Sequence, residues 1–229
     1  MRLIQGINFC IYFIIEENQE FYLYSLKIIK REYIMESGKM KACIIAGGKS
    51  GRFGDDKSLF VFEGRPLINH VLDIIKPLFD DVIIIANDRE KFSFLGLDVI
   101  PDIIPDLGPI GGLYTALEKI SCSRIFILPC DMPFLNREFV EYMSQIPDLY
   151  DVIVPKSGGH FQPLHAMYGK SCLPYIKKNI EEKKFKINSL FDESDINIRI
   201  VGEDEIGFYA DPFFMFKNIN FKSDLEFQE

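Results

Sequence analysis

Between residues 41 and 155, short apolar runs alternate with longer stretches whose apolar positions recur every three or four residues. The runs Ala42–Ala46, Val82–Ala86, Ile125–Leu128 and Val152–Val154 are rich in Ile and Val and uninterrupted by charge. That is the pattern of parallel strands buried on both faces, not of strands with one wet face. A further short strand is expected at Val99–Pro101. Helical periodicity predicts helices over Pro66–Leu78, Ile110–Ile120 and Asn136–Ile146. Pro66 suits a first helical turn. Asn136 can cap the third helix, which would turn Phe139, Val140 and Met143 to one face. Strands alternating with helices predict an α/β fold: three layers around a mostly parallel sheet, with right-handed crossovers. Ligands of such sheets bind outside the carboxyl ends of the strands, so loops 47–57, 87–91, 102–112 and 129–135 should converge. From Gly159 onward the pattern is less regular and predicts added strands and a lid-like region over the sheet edge.

Residues 1–38 do not join this alternation. Ile7–Ile15 is an apolar run too short to span a membrane. Glu16 and Glu17 follow it without a small-residue cleavage site, unlike a signal peptide. The segment reads as an extension outside the fold of residues 39–229, with Met35 or Met40 as the natural start. A membrane-surface helix is the alternative.

Composition narrows the function. The chain has 229 residues, 48% of them hydrophobic, enough to bury a substantial core. Its net charge of −8 argues against a broad nucleic-acid surface. Five scattered cysteines form no C-x-x-C pair, so a cytoplasmic, reducing compartment fits, without stable membrane association.

Against this acidic background one basic, glycine-rich segment stands out. The first apolar run ends in Ala46-Gly47-Gly48-Lys49-Ser50-Gly51-Arg52-Phe53-Gly54-Asp55-Asp56-Lys57. Glycines let backbone N–H groups approach an anion closely and form a nest for phosphate. Arg52 and Lys57 add positive charge where phosphates would lie. The spacing is neither that of a Walker A loop nor that of the G-x-G-x-x-G dinucleotide fingerprint.

The segment resembles the nucleotidyltransferase signature L-A-G-G-x-S-x-R-M-G-x-D-K, and within that superfamily the molybdenum cofactor guanylyltransferase (MobA) family. Ala46, Gly47, Gly48, Ser50, Arg52, Gly54, Asp56 and Lys57 match; Ile45 and Phe53 are apolar replacements. Further matches follow in order. Asn87 succeeds the second long strand. Asp102 precedes Gly108-Pro109-Ile110-Gly111-Gly112, where the family more often has Ala before its last Gly. Cys130-Asp131-Met132-Pro133 matches C-D-x-P. Gln162-Pro163 opens a segment like Q-P-L-x-A-L-Y, and Asn218-Ile219-Asn220 matches N-I-N, with Phe221-Lys222 in place of Thr-Pro. The likeness covers roughly residues 41–225.

The resemblance implies a Rossmann-like nucleotidyltransferase fold and transfer of GMP from GTP to Mo-molybdopterin, releasing pyrophosphate. It implies nucleotide contacts at Ile45, Ala46, Gly47, Gly48, Lys57, Asn87, Asp102 and Asp131. Arg52, Lys57 and Asp131 would be the catalytic set, and Mg²⁺ would sit on Asp131. Gln162, Pro163, Asn218 and Asn220 would meet the second substrate, the two asparagines on one face of a strand. Molybdoenzymes or cofactor-delivery proteins would be further partners. The residues alone leave other readings open: Asp131 could instead cap the following helix, and Asn87 and Asp102 could be turn residues. A molybdopterin cytidylyltransferase, a sugar-phosphate nucleotidyltransferase and an inert nucleotide-binding carrier also remain open.

Overall fold

A computed structural model describes residues 40–47 and 59–218. The long strands are β1 (Lys41–Ile45), β4 (Asp81–Ile85), β6 (Arg124–Pro129) and β7 (Val152–Ser157). Shorter ones are β2 (Val61–Phe62), β3 (Arg65–Pro66), β5 (Val99–Ile100), β8 (His160–Phe161), β9 (Ala166–Gly169) and β10 (Ile198–Val201). The main helices are α1 (Leu67–Ile75), α2 (Pro109–Lys119), α3 (Arg137–Ser144) and α4 (Leu173–Glu181); α5 (Glu203–Ile206) and α6 (Pro212–Met215) are single turns.

β2 and β3 form a small antiparallel hairpin, and the main sheet runs β10-β7-β9-β6-β1-β4-β5, with β8 folded back on β7. β1 lies inside it, parallel to β4 and to β6. Alternate residues of β1 divide the core. Ala42 and Ile44 pack with Ile68, Val71, Phe139 and Val140 of α1 and α3. Cys43 and Ile45 pack with Leu113, Ala116 and Ile176 of α2 and α4. Both faces of the sheet are therefore covered by helices, which is why its strands carry no polar alternation.

The predicted helices stand: the first and third are shorter at both ends, and the second begins and ends one residue earlier. The third begins where Asn136 caps it, with Asn136 Oδ1 accepting from the Phe139 N–H at 2.8 Å. The irregular region after Gly159 does supply added strands, but β9 does not cover an edge. It lies inside the sheet, antiparallel to both β6 and β7. Its four residues, Ala166 to Gly169, are all buried, so a short strand with little periodicity fills a central position. Asn218 is exposed and lies in coil after α6, not on a strand. Asn220 and the segment 1–38 lie outside the described residues, as do Gly48, Arg52 and Lys57. Among the described residues no helix is long and apolar enough to cross a membrane.

Candidate active site

The parallel register sets the site. β1, β4, β5 and β6 all point the same way, so Gly47, Asn87, Asp102 and Asp131 emerge at one edge of the sheet. The ladder continues past the strand ends: Ala46 N–H donates to Ile85 O at 2.9 Å and Ala86 N–H to Ile100 O at 3.1 Å. The loops therefore leave from fixed points rather than from frayed ends.

Asn87 and Asp102 bind each other twice. Asn87 Nδ2 donates to Asp102 Oδ2 at 3.1 Å, and the Asp102 backbone N–H donates to Asn87 Oδ1 at 3.0 Å. A carboxylate only accepts and a backbone N–H only donates, so this pair fixes which way the amide points. The second carboxylate oxygen, Asp102 Oδ1, is buried and without a hydrogen-bond partner. Desolvation pushes the Asp102 pKa above the usual carboxylate range, and the Asn87 hydrogen bond opposes that rise. A buried acceptor left open beside a satisfied one is poised to take a donor from a ligand. The solvated-turn reading does not fit such an oxygen.

Gly47 stands directly against this pair: a Cβ built on it would lie 3.7 Å from Asp102 Oδ2. The first loop thus starts close to the carboxylate. Behind it, α2 packs close to β1. A Cβ on Gly112 would stand 2.9 Å from Ile45 Cγ2, closer than packed carbon atoms tolerate, so glycine is required for this approach. Two anchors of this corner escape sequence reasoning. Buried Thr115 of α2 accepts the Ile103 N–H on Oγ1 at 2.9 Å and so pins the loop that carries Asp102. Lys91, which the periodicity marks only as polar, has its Nζ 5.0 Å from the Phe92 ring centroid and within electrostatic reach of Cys130. Burial pushes its ammonium pKa below the usual lysine range.

Asp131 is half-buried, two residues beyond the end of β6, with Met132 and Pro133 buried behind it. It does not cap α3, because Asn136 holds that position. It lies across β1 from the Asn87–Asp102 pair. Among the described residues no cluster of three or more Asp, Glu, His or Cys could hold a metal by itself.

On the far side of β6, a tight turn places Gln162 and Pro163. Gln162 N–H donates to Pro155 O at 2.9 Å, and His165 N–H returns to Gln162 O at 2.9 Å. The hydroxyl of buried Tyr168 donates to Pro163 O at 2.7 Å. A polar hydroxyl inside the apolar run Ala166–Tyr168 is the one sequence signal for that anchor. His165 itself is fully buried, with neither ring nitrogen hydrogen-bonded. The rings of Phe126, Phe139 and Phe216 surround it at 5.5, 5.7 and 5.2 Å between centroids. It is a wall of the core, not a ligand, and it seats Phe216 and hence the start of the Asn218 segment.

Residues 42–196 match the model of the MobA-like NTP transferase domain family. A Pelotomaculum thermopropionicum protein named "Probable molybdenum cofactor guanylyltransferase" is 35% identical over 80% of this chain and 88% of its own. An Aquifex aeolicus protein of the same name is 34% identical over 82% of this chain and 90% of its own. Among solved structures, molybdopterin-guanine dinucleotide biosynthesis protein A from Archaeoglobus fulgidus superposes with a TM-score of 0.69 at 24% identity, covering 82% of this chain and 95% of that one. The fold, the carboxyl-edge site and these likenesses agree: the chain belongs to the MobA-like NTP transferase family, and it is a nucleotidyltransferase.

Proposed function

We propose that this protein transfers GMP from GTP to the terminal phosphate of Mo-molybdopterin, giving the guanine dinucleotide cofactor and pyrophosphate. The observation that carries the reading is the open, buried Oδ1 of Asp102, held in place by Asn87 beside Gly47. A carboxylate there accepts from guanine N1–H and N2–H₂, a donor pair that adenine, cytosine and uracil do not present together. The names of the relatives point to the same substrates.

The chemistry is displacement at the α-phosphorus of GTP. An oxygen of the acceptor phosphate forms the new bond, and the bond from the α-phosphorus to the bridging oxygen of the β-phosphate breaks. The electron pair leaves with pyrophosphate. The attacking oxygen is already anionic, so no general base is required. The protein's part is positioning and the offsetting of negative charge. Ile45, Ala46, Gly47 and Gly48 would shape the phosphate loop, while Arg52 and Lys57 would pair with the triphosphate and the departing pyrophosphate. Gln162, Pro163, Asn218 and Asn220 would face the acceptor.

One hard carboxylate at a strand end, where Asn136 rather than Asp131 caps the next helix, suits Mg²⁺, which binds through one or two carboxylates plus substrate phosphates. Asp131 would hold it, and the ion would neutralise charge on the phosphates when bound. The four described cysteines form no disulfide with one another, which suits a reducing cytoplasm.

The test is a binding panel of GTP, CTP, ATP and UTP with Mg²⁺, followed by a transfer assay with Mo-molybdopterin. GTP should bind tightest and yield dinucleotide plus pyrophosphate. Preference for CTP would replace the reading with a cytidylyltransferase, and binding without transfer would replace it with a carrier.

A further inference from the structure

The acceptor side of the site contains a cation that the motifs do not mark. Lys156 stands opposite Phe161 in the hairpin of β7 and β8. Gly158 and Gly159, at φ +59° and +77°, form the two-residue turn that closes it. The hairpin tip is tied down by the Gly158 N–H, which donates to Glu203 Oε1 at 2.5 Å. Lys156 Nζ lies 5.1 Å from the Phe161 ring centroid, and Phe161 is braced in turn by Phe191, 4.8 Å away between centroids. The ammonium is thus held on a fixed aromatic support. Among the described residues no carboxylate pairs with it.

The strand register places this cation relative to Asp131. Met167 of β9 is the partner of both Phe126 on β6 and Ile153 on β7. Three residues further along each strand, Lys156 stands level with Pro129. Two strand spacings separate them, about 10 Å. Beyond Ala166 the Gln162–Pro163 turn, bonded to Pro155, occupies the gap between β6 and β7. Lys156 also continues the alternation of Val152 and Val154, which share a core cluster with Ile125 and Ile127 of β6 and with Phe161. Asp131, Gln162 and Lys156 therefore follow one another along the carboxyl edge, away from Asp102.

Resting on the guanylyl-transfer reading, we propose that Lys156, set against Phe161, is an acceptor-binding residue. It pairs with a second anionic group of the acceptor, about two strand spacings from the phosphate that attacks beside Asp131. Mo-molybdopterin has such a group in its metal-bearing dithiolene. Lys156 would then distinguish this acceptor from a simple phosphate ester without touching GTP.

The experiment compares Lys156→Met, Lys156→Glu and Lys156→Arg with the wild-type enzyme. Two quantities are read: the Kd for GTP with Mg²⁺ by calorimetry, and the KM for Mo-molybdopterin at saturating GTP. Lys156→Met should raise the acceptor KM about tenfold, as loss of one charge-assisted contact predicts, and Lys156→Glu should raise it further. Lys156→Arg should stay near wild type, and GTP affinity should not change in any variant. An unchanged acceptor KM in Lys156→Glu overturns the proposal. So does a parallel loss of GTP affinity, which a merely structural hairpin would give. A wild-type enzyme that binds GTP but makes no dinucleotide overturns the guanylyl-transfer reading and this inference with it.

Discussion

At one end of the sheet's carboxyl edge, Asn87 and Asp102 follow neighbouring parallel strands; at the other, Gln162 and His165 lead into an antiparallel strand that separates β6 from β7. Each end holds a polar group with buried, unpartnered atoms. Asp102 is half-buried, has one oxygen held by Asn87 near Gly47, and leaves the other buried without a partner. His165 is sealed among three phenylalanine rings, where burial lowers its pKa to about 3. On the proposed reading the first arrangement takes a donor from the base; the second keeps a neutral imidazole as packing. The unpartnered atoms are buried in both; the residues differ, Asp102 being half-exposed and His165 wholly enclosed.

The sharpest break between the two ends should come at Asp131, which stands between them. Asp131→Asn should lower Mg²⁺-dependent turnover about 10³-fold, ~4 kcal/mol of transition-state stabilisation, because the shape stays while the charge goes. GTP binding without metal should survive. A variant that turns over like wild type would return Asp131 to a structural role.

His165 gives the next effect, and its sign is set by burial. Its folded pKa, about 3, lies below the ordinary histidine value of ~6.5. The unfolded chain therefore binds a proton that the folded one refuses. The stability of neutral His165 is complete above pH ~6.5 and is lost as pH falls toward 3, by ~1.4 kcal/mol per pH unit. Denaturant unfolding from pH 7 to pH 5 should show this slope, and His165→Phe should flatten it. Equal slopes in the two proteins would mean that the core opens to water at His165.

At the nucleoside end the pH effect runs the other way. The Asp102 pKa is raised, so acidification protonates it in the folded protein first, which favours the fold slightly but, on the proposed reading, removes an acceptor for the base. Asp102→Asn should weaken GTP about 10- to 100-fold, the ~1.5–3 kcal/mol of hydrogen bonds to a charged group, and narrow the preference over ATP. Unchanged nucleotide selectivity would move base recognition elsewhere. The smallest effect is expected at Asn136, which caps α3 and donates to Tyr209 O at 3.0 Å. Asn136→Ala should cost ~1 kcal/mol of stability with little change in KM, read by thermal unfolding and kinetics.

Much of the nucleoside end is legible in the amino-acid sequence. β1, β4 and β6 appear as apolar runs because both faces of each are buried, and Asn136 announces its helix by its own side chain. Asn87, Asp102 and Asp131 are legible because each closely follows a strand, where the fold class itself directs ligands. Their mutual geometry is not legible: Asn87 and Asp102 meet only because β5 adds beside β4. The acceptor end reads less well. β9 is too short for periodicity to reveal, and its central place depends on pairing with two strands that run antiparallel to it. Of the expected strand through Asn218 and Asn220, only Asn218 lies among the described residues, and it is coil.

Local chemistry accounts for the alternation of strands and helices, the acidic character of the chain, and the order of motifs that announce a nucleotidyltransferase. Side-chain periodicity, a glycine-rich loop and a carboxylate after a strand are all written in neighbouring residues. Three features needed the folded chain: which oxygen of Asp102 stays open, the sealing of His165 from solvent, and the placing of Lys156 level with the end of β6. Those depend on strand register and on contacts between residues far apart in the chain, where a shift of one residue would turn each side chain to the opposite face of the sheet.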